Sequence, residues 1–220
     1  MFTSAASRGH TLPELSRSRP LVGDLRLGGS LLFLAGAVIL LGIISAEALY
    51  PDPYSTGRNE ISDLGGTEPP AALVYQPSAA IFDGSMIAVG LMVIAGALFV
   101  HRALARRSVS LPIAVLGLGA LGVGLFPGNT GTPHALFAMT TFIAGGIAAL
   151  TASIVLVGPF RYLSILLGAV SLLTLASYAF LGDSAPLAGL GIGGVERWIV
   201  YPIVLFITGF GGYLAGRAEA

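Results

Sequence analysis

Residues 27–49 read LGGSLLFLAGAVILLGIISAEAL, a run in which Glu47, close to the end, is the one ionisable side chain. A helix rising 1.5 Å per residue needs roughly 20 such residues to cross about 30 Å of hydrocarbon. Inside a bilayer the backbone N–H and C=O groups find no water. A self-satisfying helix is therefore the open-ended structure that such a run can adopt.

Working outward, five further apolar runs follow at Ser78–Val100, Val109–Phe126, His134–Val157, Tyr162–Leu181 and Val195–Gly216. The third is short and the sixth opens with charge. Pro69 and Pro70 suit a first helical turn after Thr67, which would start the second helix early and leave Pro77 as a kink. Over 220 residues, 55% are hydrophobic and 10% charged, with a mean hydropathy of +0.86. A water-soluble domain is about a quarter charged. The expected fold is an all-α integral membrane bundle of six transmembrane helices over residues 27–216. Residues 1–26 form an Arg-rich tail and residues 217–220 a short C-terminal segment.

Arginine placement predicts the orientation. Arg8, Arg17, Arg19, Arg26, Arg102, Arg106, Arg107, Arg161 and Arg217 fall at one end of the spans, Arg58 and Arg197 at the other. Positive charge is retained on the cytoplasmic side, so both termini are expected inside a cell membrane. No apolar segment follows the first charges at signal-peptide distance, and the first 26 residues read as a tail. Tyr50, Tyr54, Tyr75, Trp198 and Tyr201 gather near the outer interface, as an aromatic belt would.

Composition also excludes chemistry. Eleven acids balance eleven bases, every base is Arg, and nothing attracts nucleic acid. The Arg-only usage, with abundant Ala, Gly and Leu, suits a GC-rich prokaryotic genome. With no Cys there is no disulfide, thiolate metal site or Cys nucleophile. Gly117 to Gly122 satisfies the dinucleotide fingerprint G-x-G-x-x-G. It lies within a span, with neither a preceding strand nor an acid about 20 residues on, and reads as helix packing. Small residues four apart (Gly145, Ala149, Ser153; Thr208, Gly212, Gly216) let helices approach closely and would equally suit a homo-oligomer interface.

Ionisable residues at span ends mark candidate sites, because they are costly in lipid. Here they collect on the outer side: Glu47, then Arg58-Asn59-Glu60-Ile61-Ser62-Asp63 before Gly65-Gly66, then Asp83, His134 and Glu196-Arg197. Each has a plain alternative. Asn59, Ser62 and Asp63 suit a hydrogen-bonded turn, and Thr132 an N-cap with His134 in the first turn. Asp83 pairs with Arg58 or Arg197 or lines a polar cavity. Glu196 and Arg197 suit an ion-pair anchor, and Glu47 a headgroup contact.

The run Tyr-Pro-x-x-Tyr-Ser-x-x-x-Asn-x-Ile-Ser-Asp-Leu-Gly at 50–65 resembles the multi-pass membrane family called domain of unknown function 998. So do Phe82-Asp83, Phe126-Pro127 with His134, and Gly194-x-Glu196-Arg197. The likeness runs in order over about 27–216, with Asp83 standing where it implies Asn. The Ile-Ser-Asp-x-Gly element also resembles one in the damage-regulated autophagy modulator (DRAM) family, whose wider set is associated with lysosomal membranes, GPI-lipid maturation and phosphoinositide regulation.

The first functional expectation is non-enzymatic: an outer-side pocket for a lipid headgroup or other polar ligand. Its candidates are Asn59, Ser62, Asp63, Asp83, His134, Glu196 and Arg197, with membrane lipids as partners and neither cofactor nor metal. Arg58 and Arg197 would meet phosphate while Asp63, Asn59 and His134 supply hydrogen bonds. The second is an outer-leaflet lipid-remodelling hydrolase or transferase using His134 and Asp63. The third is a cation or proton transporter through Asp83 and Glu196.

Overall fold

The computed structural model describes residues 22–51 and 53–217. The tail over 1–21 and the C-terminal residues 218–220 lie outside the described residues. Six helices are long and apolar enough to cross a membrane. They are α1 (Val22–Ala48), α2 (Ser78–Leu104), α3 (Arg107–Leu125), α4 (Thr132–Ala152), α5 (Pro159–Leu181) and α6 (Gly191–Arg217). The described residues contain no strand.

Boundaries differ from the sequence reading where local chemistry intervenes. α1 begins at Val22 and so takes in the end of the expected tail. Pro69 and Pro70 do not open α2. They sit in a turn closed by Leu73, whose N–H donates to Thr67 Oγ1 at 2.9 Å, and Pro77 is the residue before the helix rather than a kink within it. α4 stops five residues short of Val157, where Ser153 Oγ donates to the Leu150 carbonyl at 2.6 Å. A side chain that takes the last carbonyls competes with continued helix. Gly131, not Thr132, precedes α4.

Successive helices pack side by side and α6 closes the ring against α1, while α4 also reaches α6 across the bundle. α5 packs mainly against α4 and α6 and is the least buried of the six helices. The buried core is mainly apolar, with Leu32, Ile43, Val93, Ile113, Phe206 and Phe210 among its fully enclosed side chains. Leu41, Leu111, Leu136, Leu173 and Phe180 are exposed on the perimeter. With Leu91 on α2 and Leu205 on α6 also exposed, every helix contributes to a surface that suits lipid and not water.

Small residues set the helix spacing. A Cβ at Gly29 would stand 2.6 Å from the Gly211 carbonyl, so α1 and α6 meet backbone to backbone. The G-x-G-x-x-G run lies in α3, where a Cβ at Gly117 would come within 2.9 Å of the Ile94 nitrogen and one at Gly122 would overlap the Phe137 ring. Its glycines are consumed by packing. From the two rows of small residues, Gly145 faces Ile203 and Thr208 faces Gly36 within the chain, while open space surrounds Gly216.

Candidate functional site

The charged residues singled out from the sequence do share one end of the bundle, and there they separate into two groups on either side of α6. The first is a staple built on Arg197, which is 8% exposed. Its Nη2 donates to Glu47 Oε1 and to Tyr54 Oη, both at 2.7 Å. Its Nη1 donates to the carbonyls of Thr56, Asn59 and Gly193 at 2.9–3.0 Å. Tyr54 Oη in turn donates to the Glu60 carbonyl at 2.8 Å. Burial pushes the Tyr54 phenol up, more than the Arg197 cation beside it lowers it, so the hydroxyl keeps its proton for that bond. Glu47 is thus held by an internal cation. Tyr54 packs edge-on against Tyr50 inside the loop.

The sequence permits this staple because the first turn of α6 is glycine-rich. A Cβ at Gly193 would overlap the Asn59 carbonyl oxygen, and the Gly193 N–H donates to the Gly57 carbonyl at 3.1 Å. The 49–77 loop therefore lies directly on the helix end. Within the loop, Asp63 Oδ2 accepts from Asn59 Nδ2 and from the Glu60 N–H, both at 3.2 Å. Asn59 Oδ1 accepts from the Ser55 N–H at 3.1 Å. Asn59 and Asp63 hold the turn together, as the plain alternative expected.

The second group consists of Ser62, His134 and Glu196. All three line an internal cavity of about 90 Å³ and also a groove of about 210 Å³ that opens between α4, α5 and α6. The cavity runs on between Ile39, Phe82, Met86, Val93, Leu116 and Ile207, and is apolar apart from its mouth and Thr141. From Glu196 to Ile207 it follows α6 for about 16 Å at 1.5 Å per residue. The groove adds Glu60, Glu68 and Tyr178. Glu196 Oε2 accepts the Ile61 N–H in a short contact that ties the loop to α6.

His134 is 4% exposed. Its Nδ1 lies 2.9 Å from the Phe126 carbonyl oxygen. A carbonyl only accepts, so Nδ1 carries the proton and in the neutral ring Nε2 is the lone-pair nitrogen. Asp63 is not the group that orients this ring, since its carboxylate is spent on Asn59 and Glu60. The loop carrying Phe126 is held close to the Ile-Ser-Asp-Leu-Gly-Gly turn by glycine: a Cβ at Gly128 would overlap the Gly66 carbonyl oxygen.

Asp83 belongs to neither group. It packs against Gly65, and its Oδ1 is buried with no hydrogen-bond partner. It pairs with neither expected arginine: Arg197 is engaged elsewhere, and Arg58 is exposed. Among the described residues, no three His, Cys, Asp or Glu side chains are grouped to hold one metal ion. Burial, and then the neighbouring carboxylates of Glu68 and Asp63, pushes Glu60 up to about 7. The groove is thus a place where carboxylates crowd without a compensating arginine. Glu68 and Tyr178, which complete that wall, carried no sequence signal that set them apart.

The sequence model of the family described as Protein of unknown function (DUF998) matches residues 33–212. The chain belongs to this family. The match spans α2 to α5 in full, most of α1 and α6, and both loops that shape the candidate site. No curated protein and no solved structure matches the chain. DUF998 membership carries a multi-pass membrane architecture and no reaction, so the chemistry of this member has to be read from its own side chains.

Proposed function

We propose that this protein binds a membrane amphiphile, with the polar head at Ser62, His134 and Glu196 and the apolar tail in the cavity between α1, α2, α3, α4 and α6. The observation that carries the reading is that the groove and the apolar cavity share Ser62, His134 and Glu196 in their walls. Ligand sites are concave and mostly apolar, with a few convergent polar groups that fix orientation. The groove wall includes the exposed residues Met139 and Ile192, so a ligand resident in the bilayer has a lateral entrance. The site is assigned to the outer leaflet of a cell membrane by the arginine asymmetry. Arg197 is read as a structural group and not a phosphate ligand, because both of its Nη atoms are engaged by Glu47, Tyr54 and three carbonyls and its remaining donor, Nε, is buried.

Ala138 lines both the groove and the cavity, and Ala138→Phe fills the junction without touching a polar group. Native mass spectrometry of gently extracted wild-type protein is expected to show a discrete adduct that the variant lacks, with melting unchanged. An adduct-free wild type, or one retained equally by the variant, sinks the proposal.

A further inference from the structure

Resting on that amphiphile site, we infer that the head it selects is a primary ammonium, the ligand being a long-chain amine that carries no phosphate. The junction of groove and cavity is a set of acceptors. His134, held through Nδ1 by the Phe126 carbonyl, has its lone pair on Nε2. Glu196 gives one oxygen to the Ile61 N–H and retains Oε1. Ser62 Oγ can accept as well as donate. An ammonium head carries three N–H donors and no acceptor, which matches three acceptors at the mouth of an apolar tunnel.

Charge leads the same way. The groove wall carries Glu60, Glu68 and Glu196 and no arginine, and the chain has no lysine. The nearby Arg197 is neutralised by Glu47 on the other side of α6. The N-terminus of α4 contributes about half a positive charge, which does not balance these carboxyl groups once a cationic head draws off the proton that Glu60 shares near pH 7. A phosphate or carboxylate head would enter this wall against repulsion and without a cationic donor. A quaternary ammonium would bring charge but no N–H for His134 Nε2. Carboxylates collected near lipid without a partner are costly, and an ammonium head supplies the missing counter-charge.

The test uses the full chain in a neutral maltoside micelle, titrated by native mass spectrometry with dodecylamine, dodecanol, dodecyl phosphate and dodecyltrimethylammonium. Dodecylamine is expected to bind at one equivalent, at least about tenfold more tightly than the other three. Glu196→Gln, which keeps the side-chain shape, is expected to remove that preference while dodecanol binding persists. Equal binding of dodecanol and dodecylamine, or tighter binding of dodecyl phosphate, overturns the ammonium assignment and leaves the amphiphile site standing. Failure of all four to bind overturns both. An unchanged amine preference in folded Glu196→Gln also overturns the assignment. If that variant does not fold, the wild-type comparison of the four heads decides alone.

Discussion

Arg197 Nη2 stands 2.7 Å from Glu47 Oε1, joining the first turns of α6 to the end of α1 across 150 residues of sequence. The same guanidinium holds the 49–77 loop through the Thr56 and Asn59 carbonyls. One side chain therefore fixes the register of two helices and the loop that supplies Ser62 to the site. The two side chains are 9% and 23% exposed, so the pair is largely withdrawn from solvent. In that setting the value of the pair lies less in net attraction than in the penalty for breaking it.

Removing one partner should consequently be far worse than removing both. Arg197→Ala strands Glu47 and is expected to cost about 3–5 kcal/mol, while the Arg197→Met/Glu47→Met double variant recovers much of the loss. Thermal unfolding in detergent, read as a double-mutant cycle, checks this. A double variant as unstable as Arg197→Ala would mean that the carbonyl contacts, not the ion pair, carry the effect.

Backbone contact makes a different demand at Gly193 and Gly128. Their missing Cβ atoms leave room for the Asn59 and Gly66 carbonyls. Alanine at either position must push a loop off its helix end, at a cost of about 1–3 kcal/mol for overpacking. Gly23→Ala, where open space surrounds the position, is the control. Limited proteolysis should cut within residues 49–77 faster in both site variants than in wild type or control. Equal cutting rates would show that the loop is held without those contacts.

The helices were readable because lipid imposes one rule on every residue of a span, and six runs such as Leu27–Leu49 obey it. Glu196 and Arg197 were conspicuous as charge at a helix opening. Their division of labour was not. Residues adjacent in sequence on a helix point about 100° apart, so Glu196 faces the groove while Arg197 faces α1. A list of polar residues cannot show that split, because it depends on which neighbour each face meets. Asp83 misled for the related reason that a charge in a span suggests a partner, yet Gly65 fills the space where one would stand. Glu68 and Tyr178 join the wall only through the turn at Pro69 and the placement of α5, both tertiary facts.

Glu60 predicts a pH dependence of stability. Its carboxyl sits at about 7 in the fold, raised first by burial and then by Glu68 and Asp63, against 4.5 ordinarily. Between these values the unfolded chain binds fewer protons than the folded one, so stability falls as pH rises. The contribution is fully present below about 4.5 and is lost by the time pH has passed through about 7. Glu60→Gln should flatten this part of a melting-temperature profile and raise stability at pH 8 relative to wild type. A variant profile parallel to wild type across that window would assign the slope to other groups.

The Phe126 carbonyl predicts the protonation pattern of His134. With that oxygen 2.9 Å from Nδ1, the neutral ring should keep its proton there, the less common arrangement in solution being held by a fixed acceptor. In protein labelled with ¹⁵N-histidine and held in alkaline buffer, His134 should show a protonated Nδ1 and a pyridine-like Nε2. Assignment rests on comparison with His134→Gln. Adding dodecylamine should shift the Nε2 signal most, because the ammonium donates to that lone pair while the Nδ1 bond stays intact. A proton found on Nε2 would remove one of the three acceptors and overturn the ammonium assignment.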